Sequence, residues 1–236
     1  MSPVLEFAAV SKRYWRRGSL VLDGVSLRVE AGGLVQIRGD NGSGKSTLLR
    51  LAGVVHRRCA NLGFVPDRVT PPARMTGRGY LAHLGRLAGV PTAGQDALAE
   101  RLGLSPGLDA PLGSLSRGNL RKVVLLQCLL RRPELVVMDE PFVALDATAS
   151  SELAALVRER LDDGCAFLVA THSDDLNGLG RTFQLTDGRL DERERGAVPM
   201  EPDGCPPGRA PDATEQLVVI ELDGRHPATR LPGRPS

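Results

Sequence analysis

Aromatic residues make up only 3% of this chain, with one Trp and two Tyr among them, so Leu, Val and Ala have to fill any core. Basic and acidic residues nearly balance, 30 against 28 for a net charge of +2, which excludes the broad basic surface of a general nucleic-acid binder. Long hydrophobic runs are missing. None approaches the roughly 20 apolar residues that a bilayer-spanning helix needs. The first residues lack the charged-then-apolar order of a secretory signal. These absences predict a soluble, cytoplasmic chain. Cysteines are scarce too: Cys59, Cys128, Cys165 and Cys205 show no CxxC or metal-ligand spacing, and are expected to be free thiols, mostly buried.

What is present is enough for a substantial domain. A hydrophobic share of 42% over 236 residues supports one large folded unit plus an appendage. Gly 27 and Pro 17 point to many tight turns, and eight of the prolines lie beyond Arg189.

The most informative stretch is Gly39-Asp40-Asn41-Gly42-Ser43-Gly44-Lys45-Ser46-Thr47. It follows the apolar run 34–37 and opens into Leu48-Leu49-Arg50-Leu51, the strand, glycine-rich turn and helix order of a phosphate-binding loop. Glycines let the backbone approach an anion, and successive N–H groups at the following helix start can surround a phosphate. Lys45 is expected to reach the β- and γ-phosphates, and the Ser46 hydroxyl to ligate Mg²⁺. A nucleoside triphosphate and Mg²⁺ are the ligands this loop predicts.

The flanking pattern is that of an α/β domain. The run 4–10 reads as a strand, then 21–29 alternates around Asp23-Gly24, a turn signal in a small antiparallel sheet. Between them, Tyr14 and Trp15 lie in a basic segment. An aromatic there can stack on a purine base or be an ordinary half-buried side chain. After Pro71-Pro72, residues 75–90 carry Leu81, Leu84, Leu87 and Ala88 on one predicted helix face, and 95–102 forms a second short helix ending at Gly103. The segment 70–132 therefore reads as a helical insertion. Leu115-Ser116-Arg117-Gly118-Asn119 is a polar turn before the apolar helix 120–131.

Two fully apolar strands follow, and each ends in polar groups at the edge where open α/β sheets bind ligands. The run 135–138 ends in Asp139-Glu140-Pro141: Asp139 suits the Mg²⁺ shell, and Glu140 can orient and deprotonate an attacking water. The run 166–170 ends in Thr171-His172, where the histidine can cap the strand or touch a γ-phosphate. A hairpin is expected over 181–190, turning at Asp187-Gly188. Residues 191–216 read as a charged, Pro/Gly-rich linker, and 217–236 as a tail holding one possible strand at 217–222.

Over roughly residues 4–190 these motifs, in this order and spacing, resemble the ATP-binding cassette (ABC) ATPases. Leu115–Asn119 resembles the signature motif 20 residues before Asp139, Ala144-Leu145-Asp146 the D-loop, and His172 the switch histidine. The resemblance implies a P-loop core with a parallel sheet, a small N-terminal antiparallel β subdomain and a helical signature subdomain, all within 1–190. It implies that Tyr14, rather than Trp15, stacks on adenine, that Glu140 is the catalytic base, and that His172 contacts the γ-phosphate. It also implies a second cassette facing the first head to tail, so that Ser116 and Gly118 complete the opposite ATP site. The partner implied is a separately encoded membrane-spanning subunit docked on 67–90, with the chain peripheral on the inner face of the membrane. An exporter, and no nucleic acid, is the expected context. A soluble cassette acting on ribosomes or DNA, or a regulatory cassette, is the alternative.

Three positions depart from the family pattern. Arg117 stands where the signature usually has a second glycine, and Asn119 where glutamine is frequent. Asp67 stands where a glutamine usually meets Mg²⁺ and links to the membrane partner; as an aspartate it can still meet the ion. The stretch between Lys45 and Asp67 is short, so the strand pair usual there is cut down to 56–61.

Overall fold

The computed structural model describes residues 3–15, 18–56, 62–89 and 93–193. The reduced strand pair at 57–61, Cys59 and Cys205, and the linker and tail beyond Arg193 lie outside the described residues.

Two sheets organise these residues. Strands β1 (Leu5–Lys12) and β2 (Leu22–Val29) form an antiparallel pair. The second sheet has β3 (Leu34–Arg38), β4 (Leu62–Val65), β5 (Leu135–Asp139), β6 (Ala166–Ala170), β7 (Arg181–Thr186) and β8 (Arg189–Arg193) in the order β4-β5-β6-β3-β7-β8. Its first five strands run parallel, and β8 returns antiparallel as the expected hairpin. Asp23-Gly24 is not a turn: β2 runs straight through it. Gly24 takes φ +61° and its N–H donates to Ser11 Oγ, so the glycine absorbs an irregularity in the β1–β2 register instead of reversing the chain.

The helices explain the burial pattern of the strands. Helix α1 (Lys45–His56) covers one face together with β1 and β2, so Val35, Ile37, Leu135, Val137, Leu168 and Ala170 pack into one core. The alternate residues Val136, Met138, Phe167 and Val169 point to the other face, into a core built with α4 (Arg117–Leu130) and α5 (Ala147–Asp162). Both faces are covered, which is why these strands read as unbroken apolar runs. Between β4 and α4 lie α2 (Gly77–Ala88), α3 (Gln95–Arg101) and two short 3-10 turns. Thr76 caps α2 by accepting the Gly79 N–H, and Gly89 ends it at φ +65°. Leu81 is buried as the spacing predicts, but Leu87 is 72% exposed, so the apolar face of α2 is shorter than the leucine pattern suggests. Cys128 and Cys165 are buried free thiols; burial first, and then the neighbouring Cys165, pushes the Cys128 pKa up to about 12.

Candidate nucleotide site

The register of the parallel strands sets the site. Ala170 in β6 pairs with Ile37 in β3 and with Asp139 in β5, so these three strands end level with one another. Directly beyond those ends come Gly39–Thr47, Glu140 and Thr171-His172. Three segments that are far apart in the chain thus meet at one edge of the sheet.

The glycine-rich loop has the backbone that an anion cradle needs. A side chain at Gly39 would run into the Leu185 carbonyl and Ser43 Oγ, and its φ of +152° lies where L-residues rarely go. Lys45 is 8% exposed and its Nζ donates to the carbonyls of Gly39 and Asp40, the latter at 3.0 Å. The ammonium is thereby held inside the loop. Ser43 Oγ is buried without a hydrogen-bond partner. A buried hydroxyl without a partner is costly, and a phosphate bound at this loop would supply an acceptor. The residues therefore fit a nucleoside triphosphate. Ser46 opens α1 beside Lys45, and Asp139 ends β5 at 7% exposure, a hydroxyl and a carboxylate of the hard oxygen type that Mg²⁺ takes. Asp67 is placed differently: it lies past the end of β4, partly exposed, with Arg68 Nε 3.7 Å from its carboxylate. Among the described residues no cluster of three His, Cys, Asp or Glu could hold a metal by itself.

Glu140 has a left-handed backbone, φ +49°, which a non-glycine residue adopts only when its surroundings enforce it. Its N–H donates to Ala170 O at 2.8 Å, and its carboxylate accepts from His172 N–H at 3.4 Å. The Nε2 of His172 stands 3.5 Å from Glu140 Oε1. The structure thus brings Glu140 and His172 together at the loop.

Tyr14 comes from the segment after β1 and is half exposed; its hydroxyl shares a hydrogen bond of 2.9 Å with Thr47 Oγ1. Lys12 Nζ lies 5.6 Å from the centre of the same ring. Trp15 is 79% exposed and has no comparable tie to the loop.

Ser116 and Gly118 lie apart from this cluster, at the start of α4. Ser116 is the exposed N-cap, accepting the Asn119 N–H at 3.2 Å. Gly118 packs so tightly on Ala144 that a Cβ there would collide with the Ala144 carbonyl. Close approach to the segment 144–146 is thus one reason for glycine at this position. Asp146 in that segment caps α5 through the Ala149 N–H and accepts Lys122 Nζ at 2.9 Å.

The sequence reading missed the two cations in the first turns of α4. Lys122 is 5% exposed and Arg121 is 6% exposed. Arg121 donates to main-chain carbonyls of Pro66, Asp67 (3.2 Å), Asp139, Glu140 and Pro141 (3.4 Å). Burying a guanidinium costs several kcal/mol. Hydrogen bonds from a charged donor contribute about 1.5–3 kcal/mol each, so this set can offset that cost only together. Burial draws the Arg121 pKa down while Asp67, Asp139 and Glu140 oppose the shift. The available signal was two adjacent cations inside an otherwise apolar helix.

Comparison with known proteins agrees with this geometry. Residues 22–143 match the family model described as ABC transporter. The zinc import ATP-binding protein ZnuC of Alkalilimnicola ehrlichii is 41% identical over 177 residues, covering 69% of this chain and 66% of that protein. The lipoprotein-releasing system ATP-binding protein LolD 1 of Caulobacter vibrioides is 31% identical over 235 residues, covering 83% and 97%. LolD of Gluconobacter oxydans is 32% identical over 200 residues, covering 72% and 87%. The chain thus spans about two thirds of the ZnuC relative and most of the LolD relatives. Two solved structures share the fold. An ATP-binding subunit of an ABC transporter superposes with TM-score 0.71 at 23% identity, covering 80% of this chain and 89% of that one. A bacterial ABC transporter cassette solved as a dimer, MJ0796, gives 0.70 at 21%, covering 82% and 99%. With a family model spanning more than half its length and a relative matched almost end to end, the chain belongs to the ABC transporter family, as one of its ATP-binding ATPase cassettes.

Proposed function

We propose that this cassette binds and hydrolyses Mg-ATP to energise a separately encoded membrane-spanning subunit. The observation that supports this reading best is the level ending of β3, β5 and β6, which brings Gly39–Thr47, Asp139-Glu140 and His172 to one edge of the sheet. In this reading the loop amides, Ser43 and Lys45 bind the phosphates, and Tyr14 stacks on the adenine. Ser46 and Asp139, with Asp67 as a further carboxylate, would hold Mg²⁺, whose charge would offset that of the phosphates. Glu140 orients the attacking water and accepts its proton at a carboxylate oxygen, while His172 keeps that carboxylate turned toward the loop.

The second half of the site comes from another cassette placed head to tail. Ser116 and Gly118, at the exposed start of α4, would close over that partner's γ-phosphate. The dimeric bacterial cassette of the same fold supports this arrangement. The catalytic unit in this scheme runs past the expected boundary at 190 to the end of β8 at Arg193, with 70–132 as its helical part and 194–236 as an appendage. No described helix is long and apolar enough to cross a membrane; in this reading a partner supplies the transport path. An open groove of about 350 Å³, lined by the charged Asp67, Arg68 and Arg117 and the apolar Leu120, Val124 and Val143, offers that partner a seat of mixed character. The fuller length match to the lipoprotein-releasing relatives favours export or release over uptake.

Calorimetry with Mg-ATP and a phosphate-release assay test the core of this reading. Uptake of nucleotide and steady phosphate release are expected; absence of both overturns it. Recovery of an integral membrane protein from gently solubilised membranes tests the partner. Recovery with ribosomes or DNA instead would favour a soluble cassette.

A further inference from the structure

Arg121 holds together three parts of the molecule. It starts on the second turn of α4, one turn beyond the Ser116 cap, and its guanidinium is buried. All its described hydrogen bonds go to main-chain carbonyls. Two come from Pro66 and Asp67, the segment that lines the groove beside the site. Three come from Asp139, Glu140 and Pro141, where the chain leaves β5. Glu140 is the residue there with the left-handed backbone, and its carbonyl is one of the acceptors. A left-handed residue persists only when its neighbourhood fixes the adjoining peptide planes. The amide side of Glu140 is fixed by Ala170 O, and the carbonyl side by Arg121.

Resting on the functional reading above, we propose that Arg121 is a positioning residue for Glu140: its guanidinium fixes the peptide planes that aim the carboxylate and ties them to the Pro66-Asp67 segment and α4. Movement of α4 or of a partner in the groove then reaches the water-activating carboxylate through one planar group. Arg121 itself touches neither nucleotide nor water in this scheme, so its effect appears in turnover and not in nucleotide affinity. A lysine keeps the charge but presents one donor group where the fork presents two and a third at Nε, so it cannot hold both segments at once.

The experiment compares wild type, Arg121→Lys and Arg121→Gln in the full chain, each alone and combined with Glu140→Gln. Mg-ATP affinity is read by calorimetry, turnover by phosphate release, and folding by thermal melting. The expected result is a loss of roughly tenfold or more in kcat for Arg121→Lys with nucleotide affinity within about twofold of wild type. In the Glu140→Gln background the same change should remove nothing further, because both act on one step. Additive losses in that double variant overturn the proposal, as does unchanged turnover or an equal loss of affinity. Failure of both Arg121 variants to fold also overturns it, in favour of a purely structural keystone. A wild type that binds no nucleotide would instead fell the functional reading, and this inference with it.

Discussion

Nε2 of His172 lies 3.5 Å from Oε1 of Glu140, although 32 residues separate them in the chain. The contact follows from β-sheet register: Glu140 is the first residue past Asp139 and His172 the second past Ala170, and those two are paired neighbours. A histidine this close to the carboxylate can hold its orientation.

Glu140→Gln is therefore expected to separate binding from chemistry. The amide keeps the size and the acceptor oxygen but cannot take a proton. General-base removal of this kind costs roughly 100-fold or more in turnover. Mg-ATP affinity should stay near wild type, and ATP should trap a dimer visible by size-exclusion chromatography. An unchanged hydrolysis rate would remove Glu140 from the role.

Lys45→Ala acts at the other end of the site. The Lys45 ammonium donates to the carbonyls of Gly39 and Asp40, and it is the loop's buried cation. Without it the phosphates lose a charge-assisted contact of about 1.5–3 kcal/mol, so affinity should fall on the order of 10- to 100-fold in calorimetry. Full retention of binding would contradict the loop assignment.

Much of this arrangement was legible in the chain because local chemistry dictates it. Gly39–Thr47 needs no tertiary information to be read as a phosphate loop, and the apolar runs of β5 and β6 announce strands covered on both faces. Other features depend on partners distant in sequence. Asp23-Gly24 looks like a turn, and only pairing with β1 shows it to be an irregular point inside a strand. Leu87 fits the helical spacing of α2 but has no neighbour to cover it. The cations Arg121 and Lys122 stand out in an apolar stretch, but what Arg121 binds was not legible, because its acceptors are backbone carbonyls 18 to 55 residues away and carbonyls leave no mark in sequence.

Tyr14 and Trp15 can be told apart experimentally. Tyr14 is anchored to Thr47 by its hydroxyl, while Trp15 stands in solvent. Tyr14→Ala should weaken ATP binding by about 1–3 kcal/mol, the scale of a base–aromatic stack. Tyr14→Phe should keep most of the affinity, since the ring stays and only the tie to Thr47 goes. Trp15→Ala should leave calorimetric affinity near wild type. A larger loss for Trp15→Ala than for Tyr14→Ala would reverse the assignment.

The pair Lys122–Asp146 gives the cassette an acid-sensitive joint between α4 and α5. The hydrogen bond from Lys122, then that from the Ala149 N–H, holds the Asp146 carboxyl below its ordinary range. A group whose pKa is lowered on folding stabilises the fold above its unfolded pKa, roughly 3.9 for aspartate, and that contribution disappears as pH falls through the folded value. Thermal melting between pH 7 and pH 3 should therefore show Asp146→Asn less stable than wild type at neutral pH, with the difference closing in acid. Lys122→Met should lower the melting temperature at neutral pH less than Asp146→Asn does. It removes the buried ammonium and leaves an exposed carboxylate that still caps α5 through the Ala149 N–H, whereas Asp146→Asn leaves the buried Lys122 without a counter-charge. A gap between wild type and Asp146→Asn that stays constant down to pH 3 would show that the pair does not carry the acid sensitivity.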